Sequence, residues 1–195
     1  HNVIVATKVR GRMGDAPDQS GLSQQAIVRA LDESLRRLRT DYIDLYYFHQ
    51  PDYDVPIEES LEAMNRLVQQ GKVRYPATSN YASWQVVQML SLAERSSYKP
   101  ACIAQQMYNL LARGIEQEFL PMAKQMGISV VAYNPLAAGL LTGKHTRDSV
   151  AAGTRFDGNK MYQDRYWHAE DFDAVDQLKQ VAEDERRSLL SLALG

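Results

Sequence analysis

The sequence predicts an α/β fold with a parallel sheet, because short β-type runs alternate with longer amphipathic helical patterns along its 195 residues. The runs begin at intervals close to one strand–helix unit of roughly 30 residues. Neither G-x-G-x-x-G nor G-x-x-x-x-G-K-[ST] occurs, although an open nucleotide-binding sheet normally carries such a phosphate loop. The sequence therefore favours a (β/α)8 barrel over an open doubly wound sheet, as one incomplete domain over residues 1–195.

Five runs rich in branched and aromatic residues are predicted to be the strands. They span residues 3–7, 42–48, 73–78, 101–105 and 128–132. They represent about five of the eight units, and five strands cannot close the barrel. The chain opens at His1 without a methionine and ends at Gly195 after an apolar run, so both ends look cut from inside a domain. We therefore expect open sheet edges.

Helices are predicted between the strands from apolar stripes at helical spacing that start near Ile27, Ile57, Trp84, Ile115 and Phe172. Ser23 is a plausible N-cap for the first helix, and Gly71 is placed to end the second. Residues 142–169 form a long polar stretch rich in Gly, Asp, Arg and Tyr. Because plain connections are shorter, this stretch is interpreted as a functional loop or lid.

Composition excludes several classes of protein. Lys and Arg total 22 against 24 Asp and Glu, which gives a net charge of −2. This composition lacks the excess of positive charge with which proteins bind a nucleic-acid backbone. No apolar run approaches the length of a membrane-spanning helix. The single cysteine, Cys102, excludes an internal disulfide and fits a reducing compartment. We expect a cytoplasmic protein without a nucleic-acid partner, a membrane partner or a metal site.

Each predicted strand delivers a polar or aromatic side chain at its carboxyl end, where a barrel builds its active site. These side chains are Lys8, His49, Ser79 with Asn80, Gln105 and Tyr133. A lysine beside a histidine suits proton chemistry or a Schiff base, and amides suit a flat amide-bearing ligand. The plainer alternatives also stand: a solvated lysine, a satisfied histidine, polar groups that cap turns, and a core tyrosine.

These residues, with their neighbours, resemble the aldo-keto reductases. The similar segments run in order through Val5-Ala6-Thr7-Lys8, Asp41-Tyr42-Ile43-Asp44-Leu45-Tyr46, His49 with Pro51-Asp52, Gly71-Lys72-Val73-Arg74-Tyr75, Ser79-Asn80, Gln105 with Tyr108-Asn109-Leu110-Leu111, and Tyr133-Asn134-Pro135-Leu136 through Leu140-Leu141-Thr142-Gly143-Lys144. The resemblance implies a TIM barrel that binds NADP(H) in an extended pose and reversibly reduces aldehydes or ketones.

The resemblance also implies roles for individual residues. Lys8 matches the lysine that lowers the pKa of a catalytic tyrosine, and His49 matches the histidine that orients the substrate carbonyl. The groups that match cofactor-binding positions are Ser79, Asn80 and Gln105 for the carboxamide, Tyr133 for stacking on the nicotinamide, Asn134, Pro135, Leu136 and Ala137 for the pyrophosphate, Lys144 for the phosphates and Arg155 near the adenosine. The family's catalytic Asp and Tyr lie before the first strand here, so this segment alone is expected to be inactive.

Two local departures from the family pattern carry structural predictions. Pro76 falls inside the third strand, where it removes a ladder donor. Arg39 replaces a usual glycine at the end of the first helix, where it loses an easy C-cap.

Two other functions compete with the reductase. One is a non-catalytic accessory subunit of the same fold that binds the cofactor, which the missing Asp and Tyr would suit. The other is an aldolase chemistry in which Lys8 forms a Schiff base.

Overall fold

The computed structural model describes residues 3–195, so the chain opening at His1 and Asn2 lies outside the described residues. Within these described residues there are five strands and seven α-helices, which alternate as far as the last strand. The strands are β1 (Ala6–Val9), β2 (Ile43–Phe48), β3 (Val73–Ser79), β4 (Ile103–Met107) and β5 (Ser129–Tyr133). The helices are α1 (Gln24–Leu38), α2 (Ile57–Gln69), α3 (Ser83–Arg95), α4 (Phe119–Gln125), α5 (Lys160–Tyr166), α6 (Ala169–Asp184) and α7 (Leu189–Leu194).

The five strands form one parallel sheet in which spatial order equals chain order, from β1 to β5. The register places Lys8 opposite Tyr47 and Ser79 opposite Gln105. Each strand is followed by a helix before the next strand, which is the strand–helix repeat expected from the sequence. The predicted α/β class and partial barrel are confirmed.

Strand β1 begins three residues later than predicted because the amide of Val5 leaves the ladder. That amide donates 2.9 Å to Asp44 Oδ2, while the Val5 carbonyl accepts from the Asp44 and Leu45 amides. The ladder with β2 therefore starts at Ala6. As a result Lys8 lies inside the strand rather than just after it.

Pro76 is accommodated in β3 because pairing with β4 begins only at the next residue. The first paired residues are Ala77 and Ile103, and the Pro76 carbonyl accepts a hydrogen bond of 3.4 Å from the Cys102 amide. Pro76 is opposite Tyr46 of β2, and its missing N–H falls before the stretch that pairs with β4. Strand β4 consequently starts at Ile103, two residues after the predicted position, and Gln105 occupies its centre.

Helix caps follow the sequence closely. Ser23 Oγ accepts from the Ala26 amide at 3.2 Å, which confirms the predicted N-cap of α1. Arg39 ends the same helix in the left-handed region, with φ 53° and ψ 48°, and donates its amide to the Leu35 carbonyl. The arginine thus adopts the conformation that a glycine would adopt at lower cost.

The chain contains two compact units. The first comprises the residues up to Gln106 together with Glu116–Val131. Its core consists of side chains that α1, α2 and the first three strands bury, among them Ile27, Leu31, Ile43, Tyr46, Phe48, Met64, Leu67 and Val73. Tyr46 buries its ring completely and donates its hydroxyl to the Ile27 carbonyl at 3.0 Å. Burial of these apolar faces holds α1 and α2 against the strands.

The second unit comprises Met107–Ile115 and Ala132–Gly195. Its core contains Leu140, Leu141, Phe156, Tyr166, Phe172 and Val175. Trp167 packs edge-on against Phe156 and Phe172, with ring centroids 4.8 and 5.0 Å apart. The polar stretch 142–169 therefore contains buried aromatic side chains and the helix α5, which the predicted loop did not include.

Over residues 3–195, no helix combines the length and apolarity needed to cross a bilayer.

Candidate functional site

Lys8 and His49 lie on the neighbouring strands β1 and β2 in the first unit. The His49 amide, directly after β2, donates 3.0 Å to the Val9 carbonyl. The Lys8 ammonium lies 5.1 Å from the centroid of the Tyr47 ring, directly opposite it in register. Lys8 is half-buried, and among residues 3–195 its ammonium has no carboxylate partner. The pairing of β1 with β2 thus brings the cation and the imidazole to the same sheet edge.

The surroundings of His49 keep its imidazole neutral. His49 is exposed overall, but partial burial of its side chain lowers its pKa below the ordinary value near 6.5, and the charges of Lys8 and Arg10 lower it further. A neutral imidazole retains one ring N–H and one bare nitrogen. At neutral pH it can therefore donate a hydrogen bond to a carbonyl oxygen without carrying a charge.

Arg10 is a residue at this edge that the sequence analysis missed. It follows β1 with φ 112°, a conformation rare for a residue with a side chain, and its carbonyl accepts from the Gly21 amide at 3.1 Å. Its Nε is buried and has no hydrogen-bond partner within the described part of the chain. Arg10, Lys8 and His49 line a cavity of about 490 Å³ beside β1. Its position two residues after Lys8 was the available signal.

Asn80 joins the carboxyl ends of β2 and β3 to the middle of β4. It adopts φ 61°, and its amide donates 3.1 Å to the Gln105 carbonyl. Its side-chain Nδ2 donates 2.9 Å to the His49 carbonyl and 3.0 Å to Ser79 Oγ. Asn80 therefore holds the carboxyl ends of β2 and β3 and the middle of β4 together, in addition to any contact with a ligand.

Gln105 and Ser79 differ in what they can offer a ligand. Ser79 is 1 % exposed, and its Oγ already accepts from Asn80. Gln105 lies opposite it and is half-buried, and within residues 3–195 its side-chain amide makes no hydrogen bond. The side-chain amide of Gln105 therefore has both its NH₂ donors and its oxygen acceptor available to a ligand.

The second unit contains the turn that follows β5. Tyr133 is the last residue of the strand, and its carbonyl accepts from the Tyr108 amide at 3.3 Å. Asn134 follows with φ 61°, and its Oδ1 accepts from the Ala138 amide at 2.9 Å. The Asn134 carbonyl accepts from the Ala137 amide at 3.0 Å. The turn is therefore shaped mainly by Asn134, and its Ala137 and Ala138 amides are engaged internally.

The two cations of the second unit that the resemblance assigns to the cofactor are both exposed. Lys144 follows the 3-10 turn Ala137–Thr142, and the part of the chain that the structure describes contains no ion pair of its ammonium. Arg155 lies over the Tyr162 ring, 5.4 Å from its centroid, and donates 3.4 Å to the Tyr162 hydroxyl. Both guanidinium and ammonium remain accessible to an anion.

The groups present fit a nicotinamide dinucleotide by their chemistry. In the first unit, Gln105 has an unused carboxamide able to pair with another amide. In the second unit, Lys144 and Arg155 are exposed cations of the kind that bind phosphate. Pro135 and Leu136, which the resemblance also assigns to the pyrophosphate, lie in the turn that Asn134 shapes.

Taken together, the parallel sheet and the polar groups at its carboxyl edge define an α/β protein of the barrel class with a candidate site at the strand ends. The family model described as "Aldo/keto reductase family" matches residues 1–195. The chain belongs to the aldo/keto reductase family.

Relatives within this family carry different names. "Aflatoxin B1 aldehyde reductase member 2" of Homo sapiens is 38% identical over 81% of this chain and 46% of its own length. "Uncharacterized oxidoreductase YrpG" of Bacillus subtilis (strain 168) is 42% identical over 78% of this chain and 48% of its own. "Probable voltage-gated potassium channel subunit beta" of Oryza sativa subsp. japonica is 35% identical over 100% of this chain and 60% of its own. The chain spans about half the length of the curated relatives it matches.

Proposed function

We propose that this chain forms part of an NADP(H)-dependent oxidoreductase that reduces aldehydes or ketones to alcohols. The observation that supports the proposal is the placement of Lys8 and a neutral His49 side by side at the carboxyl edge of the sheet. When bound, NADPH supplies the hydride that carbonyl reduction requires. Hydride transfer to a carbonyl leaves charge on its oxygen, and that charge needs a hydrogen-bond donor close by.

His49 is proposed to orient the substrate carbonyl. Its neutral ring donates one N–H to the carbonyl oxygen, and the burial and positive neighbours that lower the pKa of His49 keep it in this state. Lys8 contributes a fixed positive charge beside the same oxygen. In the family this lysine lowers the pKa of a tyrosine.

Gln105, Ser79 and Asn80 are proposed to hold the carboxamide of the cofactor. Gln105 has an unused amide, whereas Asn80 positions the backbone around it. Tyr133 is proposed to stack on the nicotinamide ring. Asn134, Pro135, Leu136 and Ala137 are proposed to face the pyrophosphate, and Lys144 and Arg155 the anionic groups of the dinucleotide.

The test uses the full-length protein as it occurs in its source. NADPH binding is followed by quenching of tryptophan fluorescence, and turnover by loss of NADPH absorbance with a simple aldehyde. We expect Lys8→Met and His49→Gln to reduce kcat by two orders of magnitude or more, with NADPH binding retained. Lys72→Met is the matched control, because Lys72 pairs with Asp32 at 2.8 Å on the surface. Failure of the unmodified protein to bind millimolar NADPH would contradict the proposal.

The second candidate is a cofactor-binding accessory subunit without catalytic turnover. The matches to proteins named as potassium channel β subunits, which cover 100% of this chain, support it. A single-turnover experiment separates the two functions. Bound NADPH that is oxidised once on adding an aldehyde favours the reductase, and bound NADPH that stays reduced with every carbonyl compound favours the accessory subunit.

A further inference from the structure

The hydroxyl of Tyr166 joins two loops of the second unit. Asn134 Nδ2 donates to it at 2.9 Å, and Asn109 Nδ2 donates to it at 3.1 Å. The hydroxyl in turn donates to the Met107 sulfur at 3.2 Å. Two donors and one acceptor use the full capacity of a phenolic oxygen. The group is therefore completely satisfied by residues that follow two different strands.

Both amide partners also hold backbone. Asn109 Oδ1 accepts from the Leu111 and Ala112 amides, each at 2.9 Å. Asn134 Oδ1 accepts from the Ala138 amide at 2.9 Å. An amide side chain whose oxygen accepts backbone hydrogen bonds in this way can change its orientation only if the hydrogen bonds of its NH₂ group also break. The Tyr166 hydroxyl is what holds the NH₂ group of Asn134 in place.

The Tyr166 side chain is held by packing in the core. The side chain is 2 % exposed and belongs to the core of the second unit. Burial raises the pKa of Tyr166 above its ordinary value near 10, so the hydroxyl keeps the proton that it donates to Met107. A buried ring on α5 therefore presents an acceptor to the side chain of Asn134, whose carbonyl is held separately by a hydrogen bond of 3.1 Å from Asn109 Nδ2.

We propose that Tyr166 is a positioning residue for cofactor binding, which it supports by fixing Asn134 and thereby the turn from Asn134 to Ala138. This inference rests on the proposed function, because the turn is assigned to the pyrophosphate there. Asn134 is in the left-handed region, and Ala137 and Ala138 follow with φ 47° and 58°. Backbone in this region persists only where its surroundings determine it, and the amide held by Tyr166 is such a determinant.

Removing the hydroxyl leaves the half-buried side-chain NH₂ of Asn134 without the acceptor that Tyr166 supplies. Loss of one buried hydrogen bond corresponds to roughly a tenfold change in an equilibrium constant. We therefore expect Tyr166→Phe in the full-length protein to raise the Kd for NADPH roughly tenfold. The KM for the aldehyde at saturating NADPH should stay unchanged, because the Tyr166 hydroxyl contacts Asn134, Asn109 and Met107 and neither of the groups proposed at the carbonyl, Lys8 and His49.

The experiment measures NADPH binding by fluorescence, kinetics at saturating NADPH, and Tm for each variant. Tyr98→Phe is the matched control, since within residues 3–195 the Tyr98 hydroxyl has no hydrogen bond. Tyr166→Phe is also made in an Asn134→Ala background. A residue that acts through Asn134 has its effect on Kd only when Asn134 is present. A fluorinated tyrosine at position 166, which weakens the acceptor and keeps every hydrogen-bonding atom, replaces Tyr166→Phe if that variant does not fold.

The outcomes separate this inference from the proposed function. A raised Kd that disappears in the Asn134→Ala background supports the positioning role. An unchanged Kd, or an equal rise in both backgrounds, overturns it while the reductase proposal stands. A full-length protein that binds no NADPH at all overturns the proposed function, and with it this role for Tyr166.

Discussion

The carboxylate of Asp52 accepts a hydrogen bond of 2.7 Å from the backbone amide of Leu22, thirty residues earlier in the chain. The second oxygen of the same carboxylate accepts from the Asp54 amide at 3.3 Å. Asp52 thus connects the loop after β1 to the loop after β2. Lys8 and Arg10 lie before Leu22, and His49 lies before Asp52, so this bond joins the two chain segments that carry these groups of the candidate site.

Gly21 is required where these two loops meet. Its φ is +86°, and a Cβ there would lie 2.8 Å from Asp52 Oδ2. At Gly71, with φ +74°, a Cβ would meet nothing within 4 Å. We expect Gly71→Ala to cost about 1–2 kcal/mol of stability from the backbone alone, and Gly21→Ala to cost more. Denaturant unfolding of both variants measures the two losses of stability. Equal losses would show that the Asp52 side chain moves away from the new Cβ at no cost.

Arg39 offers a stabilising substitution. Since it ends α1 in the left-handed region, Arg39→Gly should raise stability by about 1 kcal/mol. Arg36→Gly, three residues earlier inside the same helix, should lower stability by about 1 kcal/mol. Thermal unfolding of the pair measures both effects. A loss of stability in Arg39→Gly would mean that the arginine side chain contributes more than its backbone costs.

The charge of Arg10 should be visible in the titration of His49. Because Arg10 is one of the two cations that lower the pKa of His49, Arg10→Gln should raise that pKa. The imidazole would then become protonated at a higher pH than in the unmodified protein. NMR titration of the histidine rings checks this prediction. Arg12→Gln is the control, since Arg12 is exposed and pairs with Asp15, and it should leave the titration unchanged.

His145 should make the fold sensitive to acid. Its ring is 7 % exposed, it packs edge-on against Phe156 and Trp167, and its Nε2 has no partner within the described residues. Burial lowers the pKa of His145, and the charge of Lys144 lowers it further. A depressed pKa in the folded state means that the unfolded chain binds more protons. Stability is therefore complete above the ordinary value near 6.5 and is lost as the pH falls below it.

Replacing His145 by phenylalanine separates the loss of stability that its protonation causes from the acid sensitivity of the rest of the protein. His145→Phe should reduce the loss of stability between neutral and mildly acidic pH, as measured by denaturant unfolding at both. His168→Gln removes an exposed histidine and should leave the loss unchanged. A His145→Phe protein as acid-sensitive as the unmodified one would assign the effect to other groups.

The sequence predicted the ends of a helix well where a single residue determines the cap. Ser23 caps α1 as its side chain suggests, and the left-handed cap at Arg39 follows from the position where the family has glycine. The strand register was harder to predict from the sequence, because it depends on pairing between residues that are distant in sequence. The side chain of Asp44 removes Val5 from the ladder, and Pro76 sets where β4 begins.

Residues of the candidate site could be predicted from the sequence, whereas the contacts that connect them could not. Lys8 and His49 could be named from their positions after strands, whereas the buried Nε of Arg10 depends on how the loop folds back. Tyr166 lies in a stretch whose polar composition predicts a loop, and its role depends on amides more than thirty residues away. Three aromatic residues close together, Tyr162, Tyr166 and Trp167, were the signal of a buried segment there.

The order of the sheet has a consequence for how the chain acquires its structure. Since β1 to β5 are neighbours in the order in which they occur, each strand after β1 pairs with a partner that the ribosome has already released. Each closure spans a single strand–helix repeat, so its entropic cost stays similar along the chain. We expect assembly to proceed from the amino end during synthesis, each added strand covering the edge left by the one before it.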